Sequence, residues 1–263
     1  MKKTTFLALL LCLAVSCATE IDDTIYFDSI STDKEVKLSN DEGSPICAVH
    51  IQLKYATEKN GHKAEVVNEI IQQKLLNMSE LTIQQAADSF ANSYTTSYVR
   101  NFLPLYNQDR ADTTKRSWYE YHYIITSQTE SGGFGTTTYT AIIDYYEGGA
   151  HGNNQRMTLN IENKTGRLLE LEDIFVPGYE SQLNPILQKA LSEKVDAKDF
   201  KDLQDKGYLF SMEMFPSKNF ILNDETITFI YNPYEIASYD KGETELSLSL
   251  STLDNILRPE FKP

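Results

Sequence analysis

Cysteine is nearly absent from this 263-residue chain, which has only Cys12, Cys17 and Cys47. With Cys12 inside an apolar leader and Cys17 at its end, Cys47 alone belongs to the body of the protein, so an intrachain disulfide and a cysteine-built metal site are both excluded. Histidine is as sparse: His50, His62, His122 and His151 are scattered, with neither His-x-x-x-His nor His-Glu-x-x-His spacing, and no zinc motif follows. No Gly-x-Ser-x-Gly nucleophile motif occurs. Positive charge is also short, with 24 Lys and Arg against 38 Asp and Glu and no basic cluster, which argues against a nucleic-acid ligand. The longest apolar run, Phe6 to Val15, is too short to span a bilayer. Long repeats and low-complexity tracts are missing as well.

That short run is nevertheless informative. Lys2 and Lys3 precede it and Ser16-Cys17 closes it, the order of a secretory leader with a small residue at the cleavage point. Cys17 directly after Ser16 resembles a relaxed bacterial lipobox, so residues 1–16 are expected to be a signal peptide and Cys17 to carry lipid such as palmitate. An ordinary leader cut near Ser16 or Ala18 is the alternative. Residues 17–44 are then a polar, acidic tether, and the acidic residues after Cys17 resemble a surface-export signal of some Gram-negative lineages. An outer-membrane lipoprotein, periplasmic or surface-exposed, is the expected location. Removing Lys2 and Lys3 leaves 22 basic against 38 acidic side chains, a net charge of −16. Such a surface favours solubility and cationic partners over a range set by ionic strength. Asp23-Thr24-Ile25, Asp28-Ser29-Ile30 and Asp112-Thr113-Thr114 resemble O-glycosylation acceptors of some Gram-negative secretory pathways.

Beyond the tether, two α+β domains are expected, at 45–152 and 153–263, built from antiparallel sheets with packed helices. Val49, Ile51, Leu53 and Tyr55 alternate with polar residues as in a half-buried strand. Ala64, Val67, Ile71 and Leu75 recur at helical spacing, and Thr82 caps a second helix with an inner stripe of Ile83, Ala86, Ala87, Phe90 and Tyr94 that Pro104 closes. Trp118 to Thr126 and Thr136 to Tyr146 form a hairpin around Ser131-Gly132-Gly133-Phe134-Gly135. Met157, Leu159 and Ile161 lead through the turn Asn163-Lys164-Thr165-Gly166 to Leu168–Leu171 as a second hairpin. An amphipathic helix with Leu183, Ile186, Leu187, Ala190 and Leu191 follows. Strands at Phe220–Leu222, Thr226–Tyr231 and around Leu246, Leu248 and Leu250 close the chain, with a final helical turn near Leu253.

Two loops are not what core packing alone selects. Gly148-Gly149-Ala150-His151-Gly152 follows a strand with three glycines, and Asn232-Pro233-Tyr234-Glu235-Ile236-Ala237 interrupts another with a proline that has no ladder donor. Gly148, Gly149, His151, Asn153, Tyr234, Glu235 and Tyr239 are therefore the candidate binding residues. His151 reads as a structural hydrogen-bonding residue in a tight loop, and Glu172-Asp173 and Asp224-Glu225 as turn and helix-start residues. Cys47, between Ile46 and Ala48-Val49, reads as a buried, inert thiol. Sixteen tyrosines are present. Tyr119, Tyr121 and Tyr123 are expected on one strand face, while Tyr145, Tyr146, Tyr231, Tyr234 and Tyr239 border the two loops.

The string Tyr146 to Gly152, the hairpin Asn160 to Gly166 running into Leu169 to Phe175, and Phe229 to Tyr239 resemble the paired domains of unknown function in the ectodomain of the lysozyme-sensing anti-sigma factor RsiV. They are similar, too, to the non-catalytic part of the peptidoglycan deacetylase PdaC. The resemblance covers roughly residues 45 to 257 and implies an α+β pair of domains in an envelope protein, not an enzyme. The functional expectation is a non-enzymatic module that binds a protein such as lysozyme or another cationic envelope protein, or peptidoglycan-derived glycan. The alternatives are an unrecognised glycan-processing hydrolase and a structural envelope lipoprotein. Neither cofactor nor metal nor catalytic residue is expected.

Overall fold

A computed structural model describes residues 23–210 and 212–263, so Cys17 and the signal segment lie outside the described residues. The first unit is a six-stranded sheet in the order β1-β2-β3-β4-β5-β6, each strand beside its neighbour in sequence. The strands are β1 (Phe27–Lys37), β2 (Ile46–Ala56), β3 (Tyr121–Ser131), β4 (Thr136–Glu147), β5 (Asn153–Glu162) and β6 (Leu168–Leu169). Between β2 and β3 the chain forms α1 (His62–Ile71), a π-turn at Gln72–Leu76 and α2 (Ile83–Asp109). Those helices return the chain to the end of the sheet where β2 began, so β2 and β3 pair in parallel while every other pair in the sheet is antiparallel. The α+β class therefore holds, with one parallel pair that hydrophobic alternation does not encode.

Local chemistry explains these elements. Val49, Ile51 and Leu53 point inward from β2 onto Val67 and Ile71 of α1 and Ala86, Ala87 and Ala91 of α2, all of them buried. Thr82 accepts from Gln85 N at 3.2 Å while the Gln85 side chain accepts from Thr82 N at 3.0 Å, a reciprocal cap. Pro104 does not end α2, which runs on to Asp109. Its missing donor would have served the carbonyl of Arg100, and both residues are exposed, so water can satisfy what the proline leaves open. Tyr121 and Tyr123 pack against α2 aromatics as strand neighbours do. Tyr119 is not on that strand: it ends a 3₁₀ turn (Thr113–Tyr119) and donates to Asp109 Oδ2 at 2.8 Å.

The second unit carries α3 (Leu171–Ile174), α4 (Glu180–Lys194), α5 (Phe200–Asp205) and an antiparallel sheet of β7 (Phe220–Leu222), β8 (Thr226–Tyr231) and β9 (Thr244–Ser249). Leu183, Leu187 and Leu191 are buried on one face of α4 beside Phe229, Leu246 and Leu250. Position 152, expected to end the first domain, lies in the turn between β4 and β5 of one continuous sheet. The core around α4 begins only at Leu169.

Side-chain amides stitch the two units. Asn160 donates to Phe220 O at 2.8 Å and accepts from Leu222 N at 3.2 Å. Thr158 N donates to Asn219 Oδ1 at 2.8 Å, and Asn219 Nδ2 donates to Arg156 O at 2.7 Å. Asn232 both accepts from Arg156 N at 2.8 Å and donates to Arg156 O at 3.0 Å. Buried polar groups are thus satisfied across a seam where no backbone ladder forms. Gly133 closes it: a Cβ there would lie 2.3 Å from Asn223 C and 2.4 Å from Asp224 N in the β7–β8 turn.

Candidate functional site

The two glycine- and proline-marked loops meet. Gly148 has φ of +77°, and a Cβ on it would stand 2.7 Å from Trp118 O, so the β4–β5 loop can lie flat on that backbone only with glycine there. Gly149 (φ +96°) is also left-handed, and its carbonyl accepts from Tyr146 Oη at 3.0 Å. His151 Nδ1 lies 3.0 Å from Gly152 O, which can only accept. That places the proton on Nδ1 and leaves Nε2 to accept from the Tyr234 hydroxyl at 3.3 Å. The imidazole also stacks on Tyr239, with centroids 3.8 Å apart and planes 11° from parallel, and Tyr234 and Tyr239 sit 5.5 Å apart.

After β8, Glu235 N donates to Asn232 O at 3.1 Å, closing a turn whose asparagine side chain is already fastened to Arg156. Tyr234 takes φ of +73°, strained for a bulky side chain, and it is 60% exposed. The chain from Gly207 returns alongside: Leu209 N donates to Ile236 O at 2.7 Å, and Tyr208 bridges Ala237. Between these segments lies a groove of about 390 Å³ lined by Gly207, Phe210, Met212, Glu235, Ala237 and Tyr234, among others. Phe210 is 77% and Met212 40% exposed. Burial raises the Glu235 carboxyl above its ordinary value, against the lowering effect of its bonds to Asn232.

Of the expected residues, His151, Tyr234 and Tyr239 form one aromatic cluster, Gly148 and Gly149 shape the loop beneath it, and Glu235 lines the adjoining groove. Asn153 lies elsewhere, donating to Tyr145 Oη at 2.7 Å, with its own Oδ1 buried and unpartnered. Phe210 and Met212 escaped sequence reasoning. Their one available signal was large apolar side chains in a stretch with neither helical nor strand period. Among the described residues no three His, Cys, Asp or Glu side chains gather as a metal site. Cys47 is buried, and desolvation pushes its thiol up to about 12, which suits an inert side chain. The arrangement offers contact surface: flat rings, a strained exposed tyrosine, two apolar side chains and a half-buried carboxylate.

Residues 172–251 match the family described as Protein of unknown function (DUF3298). The match to that family covers less than half of the chain. That stretch holds the groove and the Tyr234–Tyr239 loop, while the His151 loop comes from outside it. A crystal structure of a DUF3298 family member from Bacteroides fragilis NCTC 9343 is 25% identical with a TM-score of 0.80, covering 90% of this chain and 94% of that one. A DUF3298 family protein from Pseudomonas aeruginosa PAO1, 19% identical with a TM-score of 0.63 over 92% of this chain and 98% of that one, shares the fold. The peptidoglycan-N-acetylmuramic acid deacetylase PdaC of Bacillus subtilis strain 168 is 25% identical over 178 residues, 66% of this chain. The chain spans 37% of that relative's length.

Proposed function

We propose that this protein is a non-enzymatic binding module of the cell envelope, lipid-anchored through Cys17, whose Tyr234 groove recognises a cationic envelope protein of the lysozyme type. The observation that carries the reading is the convergence of two loops remote in sequence on one exposed aromatic cluster, His151, Tyr234 and Tyr239, beside Phe210 and Met212. A soluble protein gains no stability from holding Tyr234 at positive φ and in water, whereas a partner's surface can use a ring presented rigidly. The net charge of −16 left once residues 1–16 are removed favours a basic partner and makes association salt-dependent. Titration of the immobilised protein with lysozyme at low and physiological salt tests this. Tyr234→Ala is expected to weaken binding by ~1–3 kcal/mol, and higher salt to slow association. Absence of saturable binding at both salts would sink the lysozyme reading.

A second reading, peptidoglycan glycan as the ligand, draws on the near-parallel His151–Tyr239 stack, a flat face with polar edges, and on the relative named as a peptidoglycan deacetylase. Co-sedimentation with purified peptidoglycan, lost in Tyr239→Ala, supports it; unchanged sedimentation of that variant removes it.

A further inference from the structure

A second cleft lies at the seam between the two units, and it shares no lining residue with the Tyr234 groove. It is bounded by β5, β6, the start of α3 and the chain entering β7, and has a volume of about 190 Å³. Leu159, Leu169, Leu171 and Phe220, all buried, contribute its apolar floor, and Met157 and Leu168 are half-buried at its walls. For scale, a cavity of about 150 Å³ accommodates a benzene ring, so this space suits one leucine-sized side chain and is too small for a long acyl tail.

The rim carries both signs of charge. Lys74 comes from the π-turn after α1, Lys218 from the approach to β7, and Glu170 and Glu172 from the start of α3. None of the four makes an ion pair among the described residues, and the Glu170 side chain also accepts from the backbone N of Asp173 as the cap of α3. Charges close by in sequence behave differently: Arg167 pairs with Asp173 at 2.7 Å, and Arg156 takes Glu243 at 2.6 Å as well as Glu245. Two ammonium and two carboxylate groups around an apolar floor complement a ligand that brings a carboxylate, an ammonium and one apolar side chain. We infer that the seam cleft binds a short zwitterionic peptide through an apolar side chain seated between β5, α3 and Phe220. Lys74 and Lys218 face its carboxylate, and Glu170 and Glu172 its ammonium. This inference does not rest on the envelope-partner reading.

NMR titration of the purified protein with the dipeptide Leu-Leu, and with its N-acetyl and C-amide forms, is the test. Saturable shifts at Leu168–Glu172 and Lys218–Phe220 are expected below about 10 mM, with each cap weakening binding roughly fivefold or more. Leu168→Trp, placed at a half-buried wall, is expected to fill the cleft and abolish the shifts. Lys218→Glu, at an exposed position that leaves folding intact, is expected to weaken the dipeptide as the C-amide does. No saturable shifts from the free dipeptide, equal binding of free and capped forms, or unchanged binding by Lys218→Glu would each overturn the proposal.

Discussion

The two units solve the same packing problem differently. In the first, long strands and two helices present regular faces, so every second residue of β2 and every third or fourth of α1 and α2 enters the core. In the second, strands are short, and much of the core is delivered by chain without period: Leu209, Met214 and Ile236 are buried although none lies in a helix or strand. Irregular backbone can leave some neighbours outside while it buries others. Leu209 is buried and Phe210 exposed; Ile236 is buried and Tyr234 exposed. The regular unit buries its large side chains in period, and the irregular one, held to it by the asparagine seam, leaves Phe210, Met212 and Tyr234 exposed.

Substitutions can break that contrast, and the largest effect is expected at the seam. Gly133→Val must push the β7–β8 turn away, and chemical denaturation should register a loss of about 3 kcal/mol or more. A loss under about 1 kcal/mol would mean that the turn yields freely and the units are less tightly coupled than the close approach implies. Asn160→Ala strands the Leu222 amide, while the Phe220 carbonyl keeps the Thr158 hydroxyl as a donor at 2.9 Å, an expected cost of about 1–3 kcal/mol. Hydrogen exchange should then quicken in β7 and β8 before β3 and β4; uniform quickening would make the two units one cooperative block. Tyr234→Gly sharpens the contrast from the other side. Relief of the positive φ should raise stability by about 0.5–1 kcal/mol while partner binding falls, and a destabilised variant would show that the ring supports the fold.

The smallest expected effect is electrostatic. Because burial raises the Glu235 carboxyl in the folded state, its protonated form is favoured there, and its stabilising contribution is lost as pH rises through the folded value. Glu235→Gln should therefore raise the melting temperature at pH 7 and converge with the parent near pH 4. A variant less stable than the parent at pH 7 would mean that the ionised carboxylate is the better-solvated form.

Much of this was legible before any coordinate. The Thr82 cap, the alternation of β2, the β3–β4 hairpin and the Gly166 turn (φ +77°) all depend on neighbours within a few residues. What was missed depends on partners far away. Pro104 reads as a stop, and only the exposure of that helix face lets α2 continue. The parallel pairing of β2 with β3 follows from the path of α1 and α2, not from either strand. In the site, glycine and proline marked the two loops because turn backbone demands those residues. Phe210 and Met212 were not marked, since an apolar side chain in water looks the same in sequence as one in a core.

By itself, the sequence determined the element types, the acidic charge and the location of two unusual loops, because hydrophobic period, residue charge and left-handed backbone are local properties. Tertiary structure alone decided that β5 joins the first sheet, that His151 lies against Tyr239, and that unpaired charges of both signs ring an apolar cleft. Each of these requires segments distant in the chain to be brought within a few ångströms, and that proximity is set by the packing of two cores across one hydrogen-bonded seam.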